Sequence, residues 1–226
     1  MNRMMKLIAA AAAALLFSCG NNPPDINQLN SQINLRKSPI TGAVTAELLV
    51  LLNADDEDGD EDIETIYVID DESGILWSAE RGSWAVRNNR GMTWIGSERF
   101  ILPYGELPAP GRYRVIVTDR GGERVEGTAF IPLVKQLPED AVYPELLFGK
   151  DDLIEVKSLE KNNIVSFYDI SGNLLSSFSI TPGTFRCKDL NNGEKIFSEY
   201  RYVDIGYYNN SLGTGLIKGS YERRSE

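Results

Sequence analysis

Thr65-Ile66-Tyr67-Val68-Ile69-Asp70-Asp71-Glu72-Ser73-Gly74-Ile75-Leu76-Trp77 sets two apolar, β-favouring runs around a short polar turn. Asp71-Glu72-Ser73-Gly74 places Asp at the first turn position, where its carboxylate accepts hydrogen bonds from the turn's own backbone. Gly at the fourth position supplies the left-handed residue that lets a type I turn close a hairpin with a bulge. The same Asp-x-x-Gly device returns as Asp119-Arg120-Gly121-Gly122 and as Asp169-Ile170-Ser171-Gly172, each time between apolar runs. Three copies predict a chain of hairpins and an all-β fold. The repeat is structural and carries no binding motif.

The flanks of these turns fit the same reading. Tyr113, Val115 and Val117 share one face of the strand before the second turn, with Arg112 and Arg114 on the other; Val125, Ala129 and Ile131 point one way after it. Asn163 to Tyr168 and Leu174 to Ile180 enclose the third turn. Val44, Ala46, Leu48, Val50 and Leu52 alternate as a strand entering a covered core, with a short helix as the other reading. Lys195 to Val203 and Gly215 to Tyr221 read as further strands, with a turn at Asn191-Asn192-Gly193.

Leu107, Pro110, Gly111, Tyr113, Val115 and Val117 resemble the turn into strand F of fibronectin-III and immunoglobulin-like domains. The resemblance covers roughly residues 39–133. It implies a β-sandwich in which the Tyr113 hydroxyl returns to the backbone at the corner. It further implies a binding or spacer module and brings no catalytic residues with it. The expected organisation is a leader at 1–18, a flexible tether at 19–37, an immunoglobulin/fibronectin-III-like sandwich at 38–134, a linker at 135–145 and a small antiparallel β domain at 146–226. The last segment either stands alone or completes the first sheet. Pro23-Pro24 and the run of Asn, Gln and Ser after it suggest the tether, and Pro132, Pro138 and Pro144 the linker.

The N-terminus carries an address. Arg3 and Lys6 precede an unbroken apolar run from Leu7 to Phe17, followed by Ser18, Cys19 and a polar stretch. The run is shorter than the roughly 20 apolar residues a spanning helix needs. Leu16-Phe17-Ser18-Cys19 resembles the processing site of bacterial lipoproteins, although Phe17 is bulkier than that family's usual residue. The resemblance implies that Cys19 becomes the mature N-terminus, lipidated with a diacylglyceryl thioether and fatty acid such as palmitate. The protein would then be held in the cell envelope, on a periplasmic or surface-exposed face of the outer membrane, by acyl chains that each gain about 0.8 kcal/mol per buried methylene. An ordinary secretory signal and an uncleaved anchor are the other readings.

The formal charge of the chain is −10, and removing residues 1–18 takes two cations with it, leaving 21 basic and 33 acidic residues, or −12. A body this acidic repels phosphate backbones, which argues against nucleic acid as a partner. The chain has no histidine, which removes Ser-His-Asp and Cys-His catalysis and the commonest metal ligand. With Cys19 acylated, Cys187 is left without a disulfide partner and reads as a buried small hydrophobe or, less simply, a reactive thiol. No cofactor motif is present, and no catalytic residue is expected.

Two stretches could serve a function. Asp55-Asp56-Glu57-Asp58-Gly59-Asp60-Glu61-Asp62 offers Asp56, Asp58, Asp60 and Asp62 as calcium ligands. Set on an EF-hand loop with Gly59 at the sixth position, it puts Ala54 and Thr65 where acids are required, so the alternative is a solvated acidic loop. Trp77, Trp84 and Trp94 form a possible ligand platform, or else sandwich core. Phe100 and Tyr104 belong to the same aromatic stretch. The expected function is a membrane-anchored, non-enzymatic binding or structural lipoprotein whose partner is an envelope protein or a glycan. The alternatives are a carboxylate-dependent glycoside hydrolase around Asp70, Asp71 and Glu80, and a calcium-stiffened adhesin module.

Overall fold

The computed structural model describes residues 22–89, 91–102, 106–134, 141–150 and 152–223. The leader, Cys19, Tyr104 and residues 135–140 of the expected linker lie outside them. The fold is all-β. An eight-stranded sheet runs in the order β12 (Leu174–Ile180), β11 (Asn163–Tyr168), β14 (Tyr202–Asn209), β15 (Thr214–Glu222), β1 (Asp25–Lys37), β2 (Val44–Asp55), β6 (Met92–Ile101) and β5 (Ala85–Asn89). A four-stranded sheet takes β4 (Ile75–Glu80), β3 (Ile63–Asp70), β7 (Gly111–Asp119) and β8 (Arg124–Ile131). A three-stranded sheet takes β13 (Gly183–Arg186), β10 (Leu153–Lys157) and β9 (Glu145–Phe148). The large sheet draws strands from both expected segments, 38–134 and 146–226.

Residues 25–37 are the main departure from the sequence reading: the expected tether is the strand in the middle of the large sheet. β1 pairs antiparallel with β2 from Asp25 opposite Asp55 to Lys37 opposite Val44, and parallel with β15 from Asn34 opposite Gly215 to Lys37 opposite Lys218. Ile33 and Leu35 enter the core, while Asn34 and Arg36, which alternate with them, are buried on the opposite face. Polar residues here face a polar interior rather than water, so their chemistry resembles that of a linker.

One face of the large sheet carries both cores. Val203, Ile205 and Tyr207 point the same way along β14. Tyr207 joins Ile33, Leu48, Leu52, Val68, Val115 and others in the sandwich core between the large and four-stranded sheets. Val203 and Ile205 join Phe167, Ile154, Cys187 and Tyr200 in a second core beneath the three-stranded sheet. The sheet curls until its two edges meet, with Arg87 on β5 donating to the Ser177 hydroxyl on β12. Inside the curl, Arg36 (8% exposed) donates to Glu47 (1%) at 2.8 Å and to Asp204 (4%) at 2.6 Å. Arg99 also donates to Glu47, at 3.0 Å. Burial alone would lower the Arg36 pKa, but the Asp204 and Glu47 carboxylates outweigh it and hold it above its ordinary value.

The expected hairpins are present, and the Asp-x-x-Gly glycines take left-handed backbone at Gly74 (φ 73°), Gly122 (φ 89°) and Gly172 (φ 83°). The first turn is set one residue earlier than its spelling suggests. Gly74 N–H donates to the Asp70 carbonyl at 2.8 Å, and the Asp70 carboxylate accepts from the Glu72 amide and the Ser73 hydroxyl. Asp71 instead reaches across to Arg114 at 2.7 Å. In the third turn Asp169 accepts from the Ser171 and Asn173 amides, each at 2.8 Å.

These bonds act on the anionic form. The Asn173 side chain and amide hold Asp169 below the usual carboxylate range, and the Arg114 guanidinium does the same for Asp71. Burial opposes the shift at Asp70, but the Ser73 hydroxyl and the turn amides lower it there too. A pKa lower in the folded than in the unfolded state gives stability that is complete above the unfolded carboxylate range and is lost as pH falls through the folded value. Urea midpoints are therefore expected to fall between pH 5 and pH 2.5, with a shallower fall for Asp169→Asn. An unchanged slope in that variant would remove Asp169 from this account.

Lys195 to Glu199 is helical rather than extended. The helix α1 (Gly193–Glu199) follows Asn192, which has φ 58°. A Cβ at Gly193 would lie 2.2 Å from the Cys187 carbonyl, so the chain needs glycine where it turns into the helix. Ile196 and Tyr200, one turn apart, are the residues that bury.

Candidate functional site

The acidic run leaves β2 and returns into β3, and β3 pairs with β7 so that Ile63 stands opposite Asp119. This register brings together carboxylates far apart in the sequence. One oxygen from each of Asp56, Asp62 and Asp119 lies within 4.8 Å of the other two. Asp56 is 8% exposed and Asp119 2%, and Asp62 is half-buried. The Asp58 amide donates to Asp56 Oδ1 at 2.9 Å, whereas Asp56 Oδ2 is enclosed with no hydrogen-bond partner. Asp119 Oδ1 accepts from the Glu123 amide at 2.9 Å, within its own turn. The Arg120 amide donates to the Asp62 carbonyl at 3.0 Å and links the two loops. Like charges this close repel by roughly 3–4 kcal/mol per pair at an effective dielectric of about 20.

Of the four expected ligands, Asp56 and Asp62 belong to this group. Asp58 and Asp60 are exposed and lie outside it. Asp58 Oδ2 accepts from the Asn22 amide at 2.7 Å, and Glu57 accepts from the Asn22 side chain at 2.9 Å. The Asp60 carbonyl accepts from Arg81 at 3.0 Å. Asp119 escaped the sequence reading because it opens an Asp-x-x-Gly turn, a role sufficient by itself to account for the residue. The signal that could have exposed it is the β3–β7 register.

The three tryptophans occupy different environments. Trp77 is turned into the sandwich core, stacked on Tyr113 at 6.0 Å and 15°, with its indole N–H donating to the Ile101 carbonyl at 3.1 Å. Its position on an inward-facing register of β4 removes it from any exposed platform. Trp84 packs on the edge of the same core under Arg81, at 5.6 Å. Trp94, half-buried, lies opposite Arg87 on the large sheet. Of the acids named for the hydrolase reading, Asp70 is bound into its own turn and Asp71 to Arg114.

An aromatic surface does occur elsewhere. A groove of about 1430 Å³ opens between β9, β10 and α1, lined by Phe148, Phe197, Tyr200 and Tyr221 with Arg186 and Arg223. The Arg223 guanidinium lies 4.1 Å from the Phe197 ring centre and 4.9 Å from that of Tyr200. Cys187 is fully buried, and burial together with the nearby Asp152 charge pushes its thiol up to about 11, so it stays protonated at neutral pH.

No protein-family model and no curated protein sequence matches the chain. Among solved structures it is similar to dimeric latent PorU from Porphyromonas gingivalis, at 13% identity and a TM-score of 0.35, over 89% of this chain and 21% of that one. It is also similar to Tp47, the 47-kilodalton lipoprotein of Treponema pallidum, at 11% identity and a TM-score of 0.33, over 87% of this chain and 50% of that one. The chain thus spans about a fifth of the first and half of the second. Likeness at this level fixes neither family nor function.

Proposed function

We propose that this protein is a lipid-anchored, non-enzymatic lipoprotein of the cell envelope whose all-β body serves as a binding or structural module. The observation that carries this reading is Leu16-Phe17-Ser18-Cys19 at the end of the apolar run Leu7 to Phe17. Cys19 becomes the acylated mature N-terminus, and the second thiol, Cys187, stays in the core. The body is related to immunoglobulin-like domains at one corner. This is supported by the Tyr113 hydroxyl, which donates to the Ala109 carbonyl at 3.0 Å, as the corner tyrosine of that fold does. Its partner is an envelope protein or a glycan.

Intact-mass measurement on the membrane fraction tests the anchor. The expected species starts at Cys19 and carries diacylglycerol and an amide-linked acyl chain. Cys19→Ala is expected to leave the leader uncut and the protein without lipid. A variant that is processed and retained in the membrane like the parent protein overturns the reading.

A further inference from the structure

We propose that Asp56, Asp62 and Asp119 form a calcium site that fastens the β2–β3 loop to the β7–β8 turn. Three carboxylates alone would not establish this. The added observation is Asp56 Oδ2: it is sealed from water on a side chain more than nine-tenths buried, with no donor facing it. A buried carboxylate oxygen needs a hydrogen bond or a cation. Among the described residues neither Asp56 nor Asp62 has an ion-pair partner. The nearby Arg81 donates from Nη1 to the Asp60 and Ile63 carbonyls, each at 3.0 Å.

Size and chemistry select the ion. All three ligands are hard oxygens, and the sequence offers no histidine to favour a transition metal. Oxygens at about 2.4 Å from a calcium ion stand no more than about 4.8 Å apart, and one oxygen from each of the three side chains lies within that distance of the other two. Magnesium demands near-octahedral geometry at about 2.05 Å and gives up its water reluctantly. Calcium tolerates irregular coordination, and backbone carbonyls and water complete its shell. The ion offsets the mutual repulsion of the three carboxylates and joins two loops already linked by the Arg120 amide. This site is independent of the anchor, since it requires nothing of Cys19.

Thermal unfolding and titration calorimetry of the purified full chain, stripped with chelator and returned to calcium or magnesium chloride, test the site. With free calcium a hundredfold above its dissociation constant, the melting temperature is expected to rise by about 5–10 °C. Magnesium at the same concentration is expected to give less than a third of that rise. Asp56→Asn and Asp119→Asn are near-isosteric and relieve like-charge repulsion, so both are expected to fold, as checked by far-ultraviolet circular dichroism, and to lose the calcium response. Asp58→Asn and Asp60→Asn are expected to keep it. No rise and no binding heat in the parent protein, or a full rise in Asp56→Asn or Asp119→Asn, overturns the proposal.

Discussion

Arg36→Met is expected to destabilise the protein by about 3–5 kcal/mol, because it leaves two buried carboxylates without their shared cation. For a chain of this size that lowers the melting temperature by roughly 10–15 °C. The two acids are not equivalent. Glu47 keeps Arg99 at 3.0 Å, whereas Asp204 has Arg36 on Oδ2 and nothing on its buried Oδ1. In the Arg36→Met background, Asp204→Asn should therefore recover more stability than Glu47→Gln. Urea unfolding of the three variants measures this. A loss under 1 kcal/mol for Arg36→Met would mean that water already reaches the interior of the curl. The site has little room for other repairs: a Cβ at Gly219 would lie 1.9 Å from Asp204 Oδ1 and 3.0 Å from the Arg36 guanidinium.

A chain beginning at Ser38 is expected not to fold. It lacks β1, and with it the fully buried Ile33, the nearly buried Leu35 and the Arg36 network. Each large aliphatic side chain buried contributes about 1.5–3 kcal/mol. Together with Arg36 the loss approaches the whole 5–15 kcal/mol by which domains are usually stable. The deletion also bares the edges of β2 and β15 inside a sheet built to have neighbours there, which invites edge-to-edge aggregation. Size-exclusion chromatography and circular dichroism should find residues 22–226 monomeric and β-rich, and residues 38–226 aggregated. A soluble, β-rich 38–226 would show that β1 is dispensable.

What could be read from the residues alone follows the range of the interactions involved. The Asp-x-x-Gly turns were legible because their hydrogen bonds close within four or five residues. β1 was not, since Asn34 and Arg36 are polar residues facing a polar, buried network whose other members, Glu47 and Asp204, come from distant strands. α1 was hidden by its brevity: Ile196 and Tyr200 are its main helical signal, and seven residues barely outlast a strand. The metal cluster was half legible. Asp56 and Asp62 lie in the acidic run, but Asp119 reaches them only through the β3–β7 pairing. The residues alone left the tryptophans open between platform and core, because a list of aromatic residues does not say which sheet face each one occupies.

If Cys19 carries the proposed lipid, the two hydrogen bonds from Asn22 to the acidic loop set which way up the molecule stands. Two residues, Gly20 and Asn21, separate Asn22 from Cys19, and three residue steps reach at most about 11 Å at full extension. With fatty acid on Cys19, the acidic loop that Asn22 bonds becomes the foot of the protein, close to the lipid headgroups. The 13 residues of β1 then act as a mast, carrying the Ser38–Ala43 bend up to about 40 Å from that surface.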